Sequence, residues 1–164
     1  MDIEFRPADP SSPPASDLIE TMASEVDALY GRRPDDPTRV LDPASLVPPA
    51  GVYLVGWVRD VAAAGGGLRP HGPGVCEIKR MYVAPAFRRR GYAGRLLAAL
   101  EAWAVDLGYH TARLDTGPRQ PDAQALYRSR GYLEIARYNE NWHADFWGQK
   151  QLSSPMGATN APSA

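Results

Sequence analysis

Glu77–Glu101, EIKRMYVAPAFRRRGYAGRLLAALE, is the stretch from which the rest of the chain can be read. It predicts a strand, a basic turn holding glycine, and the start of an amphipathic helix. That order builds an anion cradle. Glycine lets the backbone approach a ligand closely, and the first N–H groups of a helix point outward with the positive end of its dipole. Arginines beside the turn add charge and forked donors suited to phosphate. From Glu77 to Arg95 there are six bases (Lys79, Arg80, Arg88, Arg89, Arg90, Arg95) and one acid, a local balance of 6 − 1 = +5.

The rest of the composition limits what that charge is for. The whole chain of 164 residues carries a formal net charge of −1, with 44% hydrophobic and 23% charged residues. This is a soluble, single-domain composition, expected to fold over residues 1–152 with a small, polar, flexible tail at 153–164. A nearly neutral chain with one concentrated basic segment fits a bound anion better than nucleic acid, which calls for a general basic excess. Cys76 is the only cysteine, so no internal disulfide forms, and its apolar strand context makes it a buried thiol. No apolar run has the length of a membrane span, and the acidic, proline-containing start MDIEFRPADP is no signal peptide. The expected location is the cytoplasm.

Working outward, Ile3–Arg6 is a strand ended by Pro7. A helix capped by Ser16 or Asp17 runs to Tyr30, with Leu18, Ile19, Met22, Val26, Leu29 and Tyr30 at helical spacing. The loop Arg32–Ala50 holds five prolines and a helical turn near Pro43–Leu46. Gly51–Val58 and Val61–Leu68 form a hairpin. Its run Gly65-Gly66-Gly67 marks either a bulge and close approach or a loose hairpin end. Val75–Val83 is the strand that opens the central stretch. The helix from Tyr92 carries Leu96, Leu97, Leu100, Trp103, Ala104 and Leu107 on one stripe and stops at Gly108. Thr111–Asp115 is a strand, Asp122–Arg130 a helix, and Tyr132–Tyr138 and Ala144–Leu152 the last strands. The fold class is therefore α/β (α+β), a mixed central sheet of about six to seven strands with helices on both faces.

The turn fails two tests for other phosphate sites. Gly94 is followed by Arg95-Leu96 rather than Lys-Ser/Thr, which removes Walker chemistry. Gly91-Tyr92-Ala93-Gly94 lacks the G-x-G-x-x-G spacing of a dinucleotide fold. What remains is Arg88-x-x-Gly91-x-Ala93 behind a strand ending Met-Tyr-Val. With the later Ala125-Leu126-Tyr127-Arg128-Ser129-Arg130-Gly131-Tyr132, this pattern resembles the Gcn5-related N-acetyltransferases, the GNAT superfamily.

The resemblance implies a cosubstrate, acetyl-CoA, and a splayed pair of central strands, Val75–Val83 and Thr111–Asp115, that holds it. The backbone of Met81, Tyr82 and Val83 would pair with the pantetheine arm as an added strand does. The amides of Arg89, Arg90, Gly91, Ala93 and Gly94 would hold the pyrophosphate, with Arg88 at the family's Gln/Arg position. Tyr127 matches the family's general acid, beside the sulfur of CoA. Glu77 lies where some members carry a catalytic glutamate, and it is either the base, acting through water, or half of a structural ion pair. Lys79 and Arg80 suit a solvated, substrate-side or cofactor role equally. The implied reaction is direct attack of a primary amine in a ternary complex, with no protein nucleophile and no metal. His71, His110 and His143 show no metal-ligand spacing.

In this family the acceptor site lies between the first helices and the last strands, here Tyr30–Leu46 and Tyr138–Trp147. Asn139, Glu140, Asn141 and Asp145 mixed with Tyr138, Trp142, Phe146 and Trp147 suit a small amine or amino acid. Asp35, Asp36 and Asp42 either draw a cationic acceptor or order their own loop. The expected partner is a small-molecule amine, with neither nucleic acid nor membrane. A homodimer through the last strands is common in the resembled family. Two other readings stay open: a CoA-binding module without turnover, and transfer to a protein or peptide amine.

Overall fold

Val52–Val58 (β2) is buried on both faces, and its alternation divides the protein into two layers. Val52, Leu54 and Val58 enter one core cluster with Leu96, Leu97 and Leu100, while Tyr53 and Val55 enter another with Ala15 and Leu18. A period of two in the strand thus meets a helix on each side. The computed structural model describes residues 2–153. The elements around β2 are β1 (Glu4–Pro7), α1 (Ala15–Tyr30), β3 (Val61–Pro70), β4 (Val75–Val83), α2 (Tyr92–Asp106), β5 (Thr111–Thr116), α3 (Pro121–Ser129), β6 (Leu133–Glu134) and β7 (Phe146–Gln151). Short 3-10 turns occupy Pro43–Leu46 and Pro85–Phe87. The seven strands form one mixed sheet in the order β1-β2-β3-β4-β5-β7-β6, with β4 and β5 parallel.

Three of the boundaries that differ from the expected ones have a clear physical reason. α1 begins at Ala15 behind Pro14, with no side-chain cap, because the turn before it is closed by Asp9 accepting from Ser11 and Ser12. Ser16 and Asp17 lie inside the first turn, so neither caps the helix. The strand expected over Tyr132–Tyr138 pairs only at Leu133–Glu134. Beyond Ile135, whose amide donates to Trp147 O, the chain leaves the sheet edge and turns inward to polar partners. β7 accordingly begins at Phe146 rather than Ala144. The tail expected at 153–164 lies outside the described residues apart from Ser153.

The glycine run is a bulge and a close approach. Gly65 pairs with Tyr82 and Gly67 with Lys79, so β4 holds one residue more than β3 across this interval. A side chain on Gly65 would meet the Tyr53 hydroxyl, and one on Gly66 would press on Met81 at 3.1 Å. The extra residue reverses the strand's parity. Before it, Cys76 and Ile78 pack into the α2-side core; after it, Met81 and Val83 do. Arg80 takes up the irregularity with φ of 61°, a left-handed conformation uncommon for a residue with a Cβ. Cys76 is fully buried, and burial pushes its thiol up to about 12.

Candidate active site

β4 and β5 pair only from Val75↔Thr111 to Glu77↔Arg113, although β4 runs on to Val83 and β5 to Thr116. Past Glu77 the two strands diverge, and the β4 edge from Ile78 onward has no strand partner there. Tyr127, from α3, is buried at this wedge, and its hydroxyl lies 4.0 Å from Met81 Sδ. Burial, and then the charge of Asp115, push its phenol above the ordinary range, so the oxygen keeps its proton.

At its far end the β4 edge leads into the basic turn. Arg89 and Gly91 are both left-handed, with φ of 62° and 78°, and Gly91 stands at the N-cap of α2. Glycine supplies no capping side chain, and a Cβ there would meet nothing within 4 Å. The start of this 15-residue helix thus offers a bare, open, positively polarised end. Arg89 and Arg90 are exposed around it. Arg88 is engaged within the chain. Its Nε donates to Val83 O at 2.8 Å, its Nη2 meets Glu25 Oε2 at 2.8 Å, and its guanidinium sits over the Tyr82 ring. Gly94 is buried where Arg130 Nη2 occupies the space of a Cβ.

On the opposite side of the wedge lies a polar face. Ala112 and Leu114 of β5 point into the α2-side core, so Arg113 and Asp115 share the other face with Glu77 and Lys79 of β4. Glu77 is 0% exposed. Arg69 Nη2 lies 2.8 Å from its Oε1, Lys79 Nζ lies 3.9 Å from Oε2, and Asn139 Nδ2 donates to Oε2 at 3.2 Å. Burial alone would raise this carboxyl; the charges of Lys79 and Arg69 outweigh it and hold the group below its ordinary range. Asp115 accepts from Asn139 Nδ2 and from Asn141 Nδ2, the latter at 3.1 Å, and has Lys79 Nζ at 3.7 Å. Asn139 therefore bridges the two carboxylates. Tyr138 is stacked edge-on against His71, and its phenol is raised by burial and by the Glu77 and Asp115 charges.

The inward-turning segment and the first loop close this face. His143 stacks on Tyr30 at 4.4 Å, Trp142 Nε1 donates to Asp36 at 3.1 Å, and Trp147 Nε1 donates to Asn139 Oδ1 at 2.9 Å. The acidic loop orders itself. Asp36 also accepts from the amide and hydroxyl of Thr38, Asp42 accepts from the amide of Ala44, and Asp35 is exposed. His71, His110 and His143 stay apart, and among the described residues no group of three or more His, Cys, Asp or Glu is placed to hold a metal. No helix among them is long and apolar enough to cross a membrane.

Met81 and Tyr127 meet at the wedge, while Glu77 stands at the last paired position of β4, on the polar face; the sequence reading gave no role to Asp115 or Arg69. A signal was present in TARLDT, where apolar Ala112 and Leu114 alternate with Arg113 and Asp115 in a strand next to the centre of the sheet.

This geometry has relatives. A family model described as "Acetyltransferase (GNAT) family" matches residues 18–132. The chain is 29% identical over 126 residues to the "Uncharacterized N-acetyltransferase YjgM" of Escherichia coli (strain K12), covering 71% of this chain and 75% of that protein. It is 32% identical over 63 residues to an aminoglycoside N(6')-acetyltransferase type 1 of Salmonella typhimurium, covering 38% of this chain and 43% of the relative. The fold is similar, with a TM-score of 0.65 at 18% identity, to that of a GNAT family acetyltransferase from Elizabethkingia anophelis solved with acetyl-CoA bound, covering 92% of this chain and 98% of that one. The parting of β4 from β5, the glycine-capped helix behind it and the family match over most of the chain lead to one conclusion: this chain belongs to the GNAT family and is an N-acetyltransferase.

Proposed function

We propose that the wedge between β4 and β5 seats acetyl-CoA and that the polar face beside it seats a small-molecule amine. The observation that carries this reading is the end of the β4–β5 ladder at Glu77↔Arg113, on the same strand edge that leads to the bare N-terminus of α2. Bound acetyl-CoA supplies an acetyl thioester. The backbone of Met81, Tyr82 and Val83 holds the pantetheine arm, and the amides of Arg89, Arg90, Gly91, Ala93 and Gly94 hold the pyrophosphate. Arg88 reaches the phosphates by giving up Glu25, an exposed pair that costs little to break. Tyr127 Oη keeps a proton for the leaving sulfur, and its burial excludes water from that point.

The ammonium of the acceptor must lose a proton before it attacks. Glu77, 0% exposed, takes it through water. A second reading is favoured by its three partners and lowered pKa: Glu77 is a structural ion pair that fixes Lys79 and Asn139.

Thiol release from acetyl-CoA with an amine panel tests the proposal, alongside calorimetric binding of acetyl-CoA. Tyr127→Phe should lower kcat by roughly 10²- to 10⁴-fold, the usual share of a general acid. Its KM for acetyl-CoA should stay within about threefold of the parent, since the hydroxyl acts on the leaving sulfur rather than in ground-state binding. An unchanged kcat removes Tyr127 from the chemistry; absent acetyl-CoA binding removes the wedge assignment altogether.

A further inference from the structure

We propose that the acceptor carries a carboxylate beside its amine, that Arg80 anchors this carboxylate, and that the substrate class is α-amino acids and their close analogues. This deepens the acetyl-transfer reading above and rests on it.

Arg80 sits at the bulge of β4 in a left-handed conformation. A strained backbone under a long side chain in mid-sheet is sustained by its surroundings, and such positions gather at functional sites. Its Nη2 donates to Thr38 O at 3.1 Å and to Arg39 O at 3.2 Å. No carboxylate lies within ion-pair distance of it among the described residues. Asp115, Asp36 and Glu77 act on its charge from farther off, but the guanidinium itself is held by two neutral carbonyls and has donors to spare.

The groove that Arg80 lines, between α1 and the inward-turning segment, is cationic. Arg33, Arg39 and Arg80 face Asp27 and Asp36, a balance of 3 − 2 = +1. Both acids are already engaged. Asp27 Oδ2 accepts from Arg39 Nη2 at 2.7 Å, and Asp36 is spent on Thr38 and Trp142. Arg33 lies 4.3 Å over the Trp142 ring, again without an acid partner. A polycationic acceptor would meet a net positive groove with two guanidinium groups that lack an ion-pair partner among the described residues, whereas a carboxylate would be welcomed by a forked donor.

The other end of an amino acid also finds its chemistry. Asn141, two residues before the groove-lining His143, is 5% exposed, and its Nδ2 is fixed on Asp115, which leaves Oδ1 as a buried acceptor without a donor. His143 Nδ1 is likewise buried without a partner, and burial favours the neutral ring. An ammonium or amine supplies the N–H that these atoms lack. Met22 and Trp142 give the same groove an apolar wall for a side chain.

The test uses the full chain and matched acceptors: a set of α-amino acids, each against its carboxamide and its decarboxylated amine, with acetyl-CoA binding measured alongside. A carboxamide has the more readily deprotonated amine, so an intrinsic preference would favour it over the acid. The expected result is a kcat/KM for the acid roughly 10- to 100-fold higher than for its carboxamide. Arg80→Met should collapse that ratio to near unity, and Arg80→Lys should restore part of it; loss of loop support would instead lower both members of each pair together. Because the matched pairs are first compared on the native protein, a variant that fails to fold does not shield the proposal. Carboxamides or decarboxylated amines turned over as well as the acids overturn it. So does a protein that binds acetyl-CoA yet acetylates no amino acid, which leaves acetyl-CoA binding standing. Failure to bind acetyl-CoA takes down the underlying reading as well.

Discussion

The two halves of the proposed site are built from different materials. The cofactor half consists of backbone: a strand edge from Ile78 to Val83, a turn with two left-handed residues, and a helix end. The acceptor half consists of side chains from β3, β4, β5 and the segment before β7, meeting in a buried polar cluster around Glu77 and Asp115. A backbone site needs few specified side chains and forms within one continuous stretch. A side-chain site needs every partner in place, because each buried charge left alone is costly. The acceptor half should therefore be brittle under substitution and the cofactor half tolerant.

The largest expected effect is at Glu77. Glu77→Gln removes the charge that faces Arg69 and Lys79, and it should cost about 3–5 kcal/mol of stability, read by chemical denaturation. The pH dependence carries the same signature. The folded pKa of Glu77 lies below its ordinary 4.5, so its contribution is fully present above that value and is lost as pH falls through the folded pKa. The Glu77→Gln variant should accordingly show a flatter loss of stability in acid than the parent. A variant as stable as the parent that has lost turnover would break the comparison, making Glu77 a base and nothing more.

Next come two glycines, one from each half. At Gly117 a Cβ would strike the Tyr30 hydroxyl and His143 O, the latter at 2.7 Å, so Gly117→Ala must push apart the stack that closes the acceptor face. A loss of about 2 kcal/mol is expected, with overpacking as its cause. At Gly91 there is open space, and only the left-handed backbone objects. Gly91→Ala should cost about 1 kcal/mol and weaken acetyl-CoA binding severalfold through a displaced helix start. Thermal melts with and without acetyl-CoA separate the two. Equal losses at both glycines would mean that the halves do not differ in rigidity.

This contrast also sets what the sequence could disclose. Arg88-x-x-Gly91-x-Ala93 is legible because the cradle is local: glycine, helix start and strand end fall within one run. Tyr127 is legible through its helix and the Gly131-Tyr132 that follows. Asp115 is not, because its meaning comes from Asn139, Asn141 and Lys79, which lie far along the chain and meet only after the sheet forms. The expected strand Tyr132–Tyr138 misleads for the same reason. Its β-forming residues are overridden when Asn139 is drawn inward to two buried carboxylates. Arg88 shows the converse, since its motif points to phosphate while the contacts with Val83 O, Glu25 and the Tyr82 ring come from tertiary structure that the motif does not carry.

The smallest effect should come from Arg88 and is the sharpest probe of the tolerant half. The Arg88–Glu25 pair is close to half exposed on both sides, 45% and 39%, so solvent screens it. Arg88→Gln should change stability by less than about 1 kcal/mol, a shift that a careful denaturant series can bound. Its effect on acetyl-CoA affinity then discriminates between two roles. If the guanidinium leaves Glu25 for a phosphate, affinity falls by roughly tenfold and the loss shrinks as salt rises. If it stays on Glu25, Val83 O and the Tyr82 ring, affinity is unchanged, and the amides alone hold the pyrophosphate. Glu25→Gln separates the two independently. Freed from its acid, Arg88 should tighten acetyl-CoA binding in the first case and leave it untouched in the second.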